Sequence, residues 1–598
     1  MDARYKTVST GQPALAQQPA DRAPSNPFRS LDYRKEATIA RFTGGLSPAA
    51  LSLAVADWLI HLASAPGKRL ELTSLAAANT RQIADYVFRG VSAHAESAPL
   101  AQPAPGDQRF RAAVWQTEPY RFWQQTFLLT EQWWKAATSD IPGATKHHEN
   151  VVGFGARQLL DMFSPTNFPF TNPEVIQRTQ AALGGNLIEG ARNLLEDVQR
   201  QASGQPPAGV DQFKVGAALA VTPGKVVFQN HLIELIQYIP TTDKVVAEPI
   251  LIVPAWIMKY YILDLSPHNS LIRFLVGQGY TVFCISWRNV GAEDRDLSLE
   301  DYRTLGVMAA LDTIAAIVPD QRVHATGYCL GGTLLSIAAA AMAGVGDERL
   351  ASVSLLAAQT DFTEPGELQL FIDDSEVYFI ESMMWSKGYL EASQMSGAFQ
   401  MLESNDLIWS HMIHDYMLGD RAPMFDLMAW NADSTRMPYR MHSEYLRQLF
   451  LDNDLASSRY RVDGRPISLR NLRAPMFVVG TDRDHIAPWR SVYKIHYLSS
   501  TEITFVLTSG GHNAGIVSEP GHANRQFRME YAAPADLRVG PDEWLAAAEP
   551  RDGSWWPAWT AWLAERSTAD LVAPPHLGLA GQPRASLVDA PGTYVLQY

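Results

Sequence analysis

Cysteine is nearly absent. Of 598 residues only Cys284 and Cys329 are cysteines, too few for the disulfide framework that staples small secreted scaffolds, so a reducing, cytoplasmic compartment is expected. No uninterrupted apolar stretch reaches the ~18 residues of a membrane-spanning helix. The N-terminus has no basic segment followed by an apolar one, so no signal peptide is expected either. Positive charge is also in short supply. Lys and Arg number 49 against 63 Asp and Glu, a formal net charge of −14. Nucleic acid is therefore excluded as the expected partner, because binding phosphate backbones relies on clustered Lys and Arg. No zinc-type spacing and no internal repeat occurs. His411 and His414 share a helix face but lack a third ligand, so neither a metal nor a cofactor is expected.

What the chain does contain is apolar: 46% hydrophobic residues, 10% aromatics and 16 Trp describe a large core. Its length calls for two or more units. Residues 1–27, polar and rich in Pro, Ala and Gln, read as a disordered tail. Residues 28–205 read as a helical N-terminal domain, with apolar residues at three- and four-residue steps over 48–63 and 123–137. Ser47 is placed to cap the first of these helices. The Pro/Gly stretch 204–209 marks a linker to a catalytic domain, 206–598.

Within that second unit the pattern changes. Short apolar, β-branched runs at 250–253, 281–286, 323–326, 353–356, 476–479 and 503–507 alternate with helical patterns at 304–318 and 333–343. Such alternation predicts an α/β fold, with a mainly parallel sheet covered on both faces. A helix-prone insertion at about 361–465 interrupts it. Ten of the 17 Met fall within 383–441, and Met suits surfaces that rearrange. A mobile lid over an active site is expected there, with a static helical subdomain as the alternative.

The chemistry is concentrated in Val323-His324-Ala325-Thr326-Gly327-Tyr328-Cys329-Leu330-Gly331-Gly332-Thr333. An apolar strand runs into Gly-x-Cys-x-Gly and then into an Ala-rich helix. This is the nucleophile elbow of an α/β-hydrolase fold, with Cys where Ser is usual. Gly327 and Gly331 are required because the turn leaves no room for side chains. Cys329 at a helix N-terminus is favoured as thiolate. Composition alone would produce Gly-x-Cys-x-Gly roughly 0.01 times in a chain like this, before the flanking strand and helix are demanded. Cys284, inside a strand, reads as a small buried hydrophobe.

In this fold the order is nucleophile, acid, then His. Asp482 and Asp484 follow the strand at 476–479, and His512 lies in a Gly-rich loop after the strand at 503–507. Both loops fall beyond strand carboxyl ends, where open parallel sheets gather catalytic side chains. Spacing does not separate Asp482 from Asp484. His485 competes with His512 but adjoins the acid and lacks flanking glycines. The backbone N–H of Leu330 and one from the loop around Trp256-Ile257 are the expected oxyanion donors.

The box Gly-Tyr-Cys-Leu-Gly-Gly-Thr at 327–333 resembles that of the polyhydroxyalkanoate synthases, which make bacterial storage polyester. Further likeness lies in Val253-Pro254, Lys259 to Leu265, Ser286-Trp287-Arg288-Asn289, Trp430-Asn431 with Asp433, Thr435 and Pro438, Asp484-His485-Ile486 with Pro488-Trp489, Gly511-His512 with Ala514-Gly515, Gly553 to Pro557 and Ala590 to Val595. Gln132-Trp133-Trp134 and Ser164 to Phe168 extend it into the N-terminal half. The resemblance implies Cys329, Asp484 and His512 as triad, and associates Trp430 with dimerisation or the lid. It also implies a class I-like enzyme that polymerises short 3-hydroxyacyl-CoA units. A homodimer without a second subunit type, meeting the growing polyester chain at the granule surface, is likewise implied. Trp256 stands where some members carry a second Cys, so no mechanism here can need a thiol there. A Cys-triad hydrolase or acyl-CoA thioesterase shares the elbow but leaves the N-terminal region and insertion unexplained. A non-catalytic granule-coat protein would have no use for a strained elbow.

Overall fold

The computed structural model describes residues 27–43, 45–89, 98–104, 106–402, 404–581 and 583–598. The expected disordered tail, 1–27, lies outside them apart from Pro27, which opens a helix.

One ten-stranded sheet organises the molecule. Its strands are β1 (Gly224–Gln229), β2 (Ile233–Tyr238), β3 (Ile250–Val253), β4 (Val282–Trp287), β5 (Val323–Tyr328), β6 (Leu350–Leu356), β7 (Met476–Thr481), β8 (Ile503–Thr508), β9 (Gln526–Ala532) and β10 (Pro550–Asp552). They lie in the order β1-β2-β4-β3-β5-β6-β7-β8-β9-β10. From β4 through β8 every pairing is parallel. Every residue of these six strands is buried, as the near-continuous apolar runs require of strands covered on both faces. The edges are antiparallel: β1 on β2, β2 on β4, β9 on β8 and β10 on β9.

Before the sheet come helices Pro27–Thr43, Pro48–Ser64, Pro66–Arg89, Tyr120–Ala137, Lys146–Met162, Pro173–Ala181 and Gly185–Ala202. Proline opens several of them because the first helical N–H has no intrahelical acceptor to lose. Ser47 caps the helix Pro48–Ser64 through its Oγ, which accepts from Ala50 N at 3.3 Å. Among the described residues no single helix is long and apolar enough to cross a membrane.

Between β6 and β7 the chain leaves the sheet for residues 357–475 and folds mostly as helix, including Asp374–Lys387, Ala392–Leu402, Asp426–Asn431 and Tyr439–Glu444. Three further segments, Asn405–Trp409, Met412–Met417 and Tyr445–Leu451, are wound wider than an α-helix. The N-terminal helices dock on this insertion. Tyr33 stacks on Trp385 with ring centroids 5.4 Å apart. Helix Gly185–Ala202 approaches residues 412–417 so closely that a Cβ on Gly190 would lie 1.9 Å from the Tyr416 carbonyl oxygen.

Glu376 also lies at this seam. Both its oxygens accept from Ser47 N at 3.0 Å, yet the side chain is buried. Burial, opposed by the Ser47 N–H and reinforced by Asp373, pushes its carboxyl up to about 7. Because the folded value lies above the free one, this group's stabilising contribution is complete at acid pH and is lost as pH rises through about 7. A shift of that size corresponds to on the order of 3 kcal/mol. Melting curves from pH 5 to 8 should therefore show a loss of stability with rising pH that Glu376→Gln flattens; an unchanged profile in the variant would assign the dependence elsewhere.

Candidate active site

Cys329 follows β5 directly and precedes the helix Leu330–Val345, with φ 52° and ψ −125°. A positive φ is costly for any residue but glycine. The turn is held by backbone bonds: Cys329 N donates to Leu356 O on β6 at 2.9 Å, and Gly332 N donates to Cys329 O at 2.9 Å. A Cβ on Gly327 would lie 2.3 Å from the Gly332 Cα, and one on Gly331 would lie 2.1 Å from the Val253 carbonyl oxygen. Backbone stands on both sides, so neither position can carry a side chain. Cys329 itself is half-buried, whereas Cys284 is buried in β4, where burial, with Asp264 adding to it, pushes its thiol well up.

The loop after β8 carries His512, and the loop after β7 carries Asp484. His512 Nδ1 lies 2.8 Å from Asp484 Oδ2. The carboxylate is fixed by three further donors. Thr481 Oγ1 reaches Oδ2 at 2.7 Å, while Ile486 N and Ala487 N reach Oδ1 at 2.9 and 2.8 Å. Burial works to raise the Asp484 carboxyl, but His512 and these donors hold it below the usual range. For His512 burial works the other way; Asp484 and then the Cys329 sulfur, charge and hydrogen bond together, raise the imidazole well above its ordinary value. A buried carboxylate that fixes Nδ1 leaves Nε2 for the sulfur.

Asp482 takes a different place. It is exposed, and its Oδ1 accepts from Gly510 N at 2.7 Å, so it braces the loop that bears His512 rather than the imidazole. His485 is exposed, and its carbonyl accepts from Glu367 N at 3.1 Å. His411 pairs with Asp415 at 3.1 Å. Among the described residues no group of His, Cys, Asp and Glu could hold a metal ion. Sequence reasoning missed the bond from Tyr328 Oη to Asn513 Oδ1, 2.6 Å, which ties the residue before the nucleophile to the residue after the histidine. It also missed Arg525, whose guanidinium donates to Ser509 O and Ala514 O. Neither contact leaves a local pattern, because each joins segments distant in sequence.

Leu330, as the first helical residue, has no intrahelical acceptor for its N–H. The loop bearing Trp256 and Ile257 passes beside it, since the preceding Val253 and Pro254 carbonyls line the Gly331 approach. The Trp256 and Ile257 carbonyls accept from Thr435 Oγ1 at 2.5 Å and Thr435 N at 3.3 Å. Trp430 is 2% exposed and donates Nε1 to Lys259 O at 2.8 Å. It packs in the core on one side of the sheet. Tyr445 of the insertion lies close enough to the nucleophile that burial, and then the Cys329 charge, push its phenol well up.

Comparison with known proteins gives this geometry its context. Residues 106–275 match the model described as the N-terminus of poly-beta-hydroxybutyrate polymerase (PhaC), and 248–519 match the alpha/beta hydrolase fold. A poly(3-hydroxyalkanoate) polymerase from Methylorubrum extorquens is 41% identical over 501 residues, covering 83% of this chain and 82% of that one. The chain belongs to the poly(3-hydroxyalkanoate) polymerase family. A second member, from Cupriavidus necator, is 36% identical over 82% of this chain and 83% of its own. Membership makes the chain an acyltransferase by family and an α/β hydrolase by fold. Among solved structures, the thioesterase domain from the curacin biosynthetic pathway shares 15% identity and a TM-score of 0.28 over 49% of this chain and 94% of that one.

The two aspartates should separate on substitution. Asp484→Asn removes the charge that orients His512 and should lower turnover on the order of 10²–10⁴-fold. Asp482→Asn keeps an oxygen for Gly510 N and should cost at most a few-fold. Steady-state CoA release measures both, and equal losses would reject the assignment of Asp484 as the acid.

Proposed function

We propose that this protein polymerises (R)-3-hydroxyacyl-CoA, with short chains such as 3-hydroxybutyryl-CoA preferred, into polyester through an acyl thioester on Cys329. The observation that carries the reading is a strained Cys in a nucleophile elbow, with a buried His512–Asp484 pair beside it, in a member of this family.

His512 takes the Cys329 proton and the thiolate attacks the thioester carbonyl. The oxyanion is met by the N–H groups of Leu330 and Ile257. Collapse breaks the carbon–sulfur bond to CoA, whose thiolate takes the proton from His512. The acyl group has then moved from one sulfur to another with little change in energy and stays activated. In the second half a 3-hydroxyl loses its proton to His512 and attacks the Cys329 thioester. An ester forms, and Cys329 recovers the proton as the thioester breaks. Water in place of that hydroxyl would turn the cycle into a thioesterase. The half-buried sulfur, the little-exposed His512 side chain and the buried Tyr445 near Cys329 support the insertion as the lid that prevents this.

A homodimer and a cytoplasmic, granule-associated location, both expected from the resemblance, belong to the same proposal. Support for the granule contact comes from helix Gly185–Ala202, which is turned inside out. Its Asn186 and Asn193 side chains donate to the insertion carbonyls of Met417 at 2.7 Å and Asp415 at 2.9 Å. Leu187, Ile188, Leu194, Leu195 and Val198 face outward, and neighbouring Leu183 is 95% exposed. An apolar stripe of this extent suits a water-insoluble polyester.

Cys329→Ala should cut CoA release from 3-hydroxybutyryl-CoA about 10³-fold or more; substantial remaining turnover would remove Cys329 as nucleophile. Wild-type product from C4 and C8 substrates should be polymer, with C4 faster, whereas free hydroxy acid would establish the thioesterase reading. Ile188→Glu with Leu195→Glu should lower retention on amorphous polyester particles several-fold while early CoA release stays intact. Undiminished retention would move the granule contact to another surface.

A further inference from the structure

The side chain of Arg525 lies outside the triad and outside every motif that the sequence singles out, yet it touches both ends of the loop that bears His512. Its Nη1 donates to Ser509 O at 3.1 Å and its Nη2 to Ala514 O at 2.6 Å. These carbonyls lie on either side of His512. We propose that Arg525 is a positioning residue for His512, a two-pronged strap that sets the imidazole against the Cys329 sulfur.

Several observations converge on this role. Arg525 is itself anchored, because its carbonyl accepts from Gly553 N at 2.7 Å, immediately before β9. The guanidinium is packed tightly on the loop: a Cβ on Gly510, which has φ +122°, would lie 2.8 Å from Nη1. From the other side the same loop is gripped by Asp482, through Gly510 N at 2.7 Å, and by Arg483 N, which donates to Gly510 O at 3.0 Å. Within the loop Gly515 N donates to Gly511 O at 2.8 Å. The loop is therefore held at both ends and across its middle, and only its tip, with His512, points at the nucleophile.

What the guanidinium forgoes is as informative as what it binds. Among the described residues no carboxylate lies within the 4.0 Å of an ion pair with Arg525. Its Nε is buried without a partner. Burial lowers its affinity for its proton, with Glu519 and Asp482 only partly compensating. A charged group is thus held partly desolvated for the sake of two carbonyl contacts. A stability role alone would be met more cheaply by an apolar side chain of similar volume. Arg has the planar fork to span two carbonyls at once, whereas Lys offers a single point of charge.

The test rests on the triad reading but does not need polymer. The pH dependence of Cys329 alkylation by iodoacetamide reports the Cys329–His512 pairing directly, beside kcat and KM for CoA release and the melting temperature. Arg525→Ala should lower kcat by about 10²-fold with KM changed less than about two-fold, since a misplacement near 1 Å costs on that order. Its alkylation profile should move toward that of a free thiol. Low millimolar guanidinium should restore part of the rate, and methylammonium should not. Arg525→Lys, which keeps charge and bulk, should fold as wild type and remain at least ten-fold impaired. The proposal is overturned if Arg525→Lys retains full kcat, or if losses follow the melting temperature with an unchanged alkylation profile and no guanidinium rescue. A protein that releases no CoA but still shows the alkylation shift would overturn the polymerase reading and leave the strap standing.

Discussion

The proposed chemistry depends on the sharp reversal at Cys329. A residue with a Cβ is held at positive φ between a buried strand and a buried helix, and the surrounding backbone leaves no alternative. Cys329 N is committed to Leu356 O on the neighbouring strand, and the helix beginning at Leu330 is pressed so closely on the end of β3 that only glycine fits at 331. The strain is sustained by the register of three parallel strands, β3, β5 and β6, whose carboxyl ends lie side by side. The carboxyl ends of β7 and β8, next in the same parallel sheet, fix where the loops bearing Asp484 and His512 emerge. The sheet thus sets the placement of Cys329, Asp484 and His512 before any interaction among them is counted.

Those interactions then form two layers. Asp484 is held by Thr481, Ile486 and Ala487 and in turn holds His512. Around this inner chain, Asp482, Arg525 and the Tyr328–Asn513 bond hold the backbone of the histidine loop. The division explains why two aspartates two residues apart have such different surroundings. One is buried among donors with a carboxyl held low, and the other is exposed and spends one oxygen on a backbone N–H. A carboxylate can orient an imidazole only if it cannot itself turn away, and the buried one alone meets that condition.

Much of this was legible in the sequence because the parallel strands are buried on both faces and read as unbroken apolar runs. The glycines of the elbow were legible for the opposite reason, since backbone contact on both sides tolerates nothing else. The antiparallel edges escaped. β9 carries Gln526, Arg528 and Glu530 with only Phe527 buried, and β1 and β2 form a hairpin whose first strand ends on polar Gln229. The choice between Asp482 and Asp484 was also out of reach of spacing, because both follow β7 and only the path of the loop decides which carboxyl turns inward. Arg525 and the Asn513 contact were invisible because they depend on loop closure rather than on any local period. The bond from the Trp430 indole to Lys259 O, 171 residues away in sequence, was likewise beyond any local pattern.

The insertion connects the two halves of the chain, and this has a mechanical consequence. Between regular elements, the N-terminal helices meet the rest of the protein on insertion segments: Pro27–Thr43 and Pro48–Ser64 on Asp374–Lys387, Lys146–Met162 on the segments at 367–371 and 405–409, Gly185–Ala202 on 412–417. Tyr445, which lies near Cys329, belongs to the same insertion. An insertion that opens as the proposed lid must therefore either carry the N-terminal helices with it or slide beneath them. Helix Gly185–Ala202 holds the insertion through Asn186 and Asn193 on the Met417 and Asp415 carbonyls and through charge, Arg421 donating to Glu196 at 3.0 Å and to Asp197 at 2.7 Å. Helix Pro27–Thr43 holds it through Tyr33 packed between Tyr378 and Trp385, a contact that water cannot replace. The seam is thus aromatic at one end and polar and charged at the other, so the insertion cannot shift without giving up contacts of both kinds.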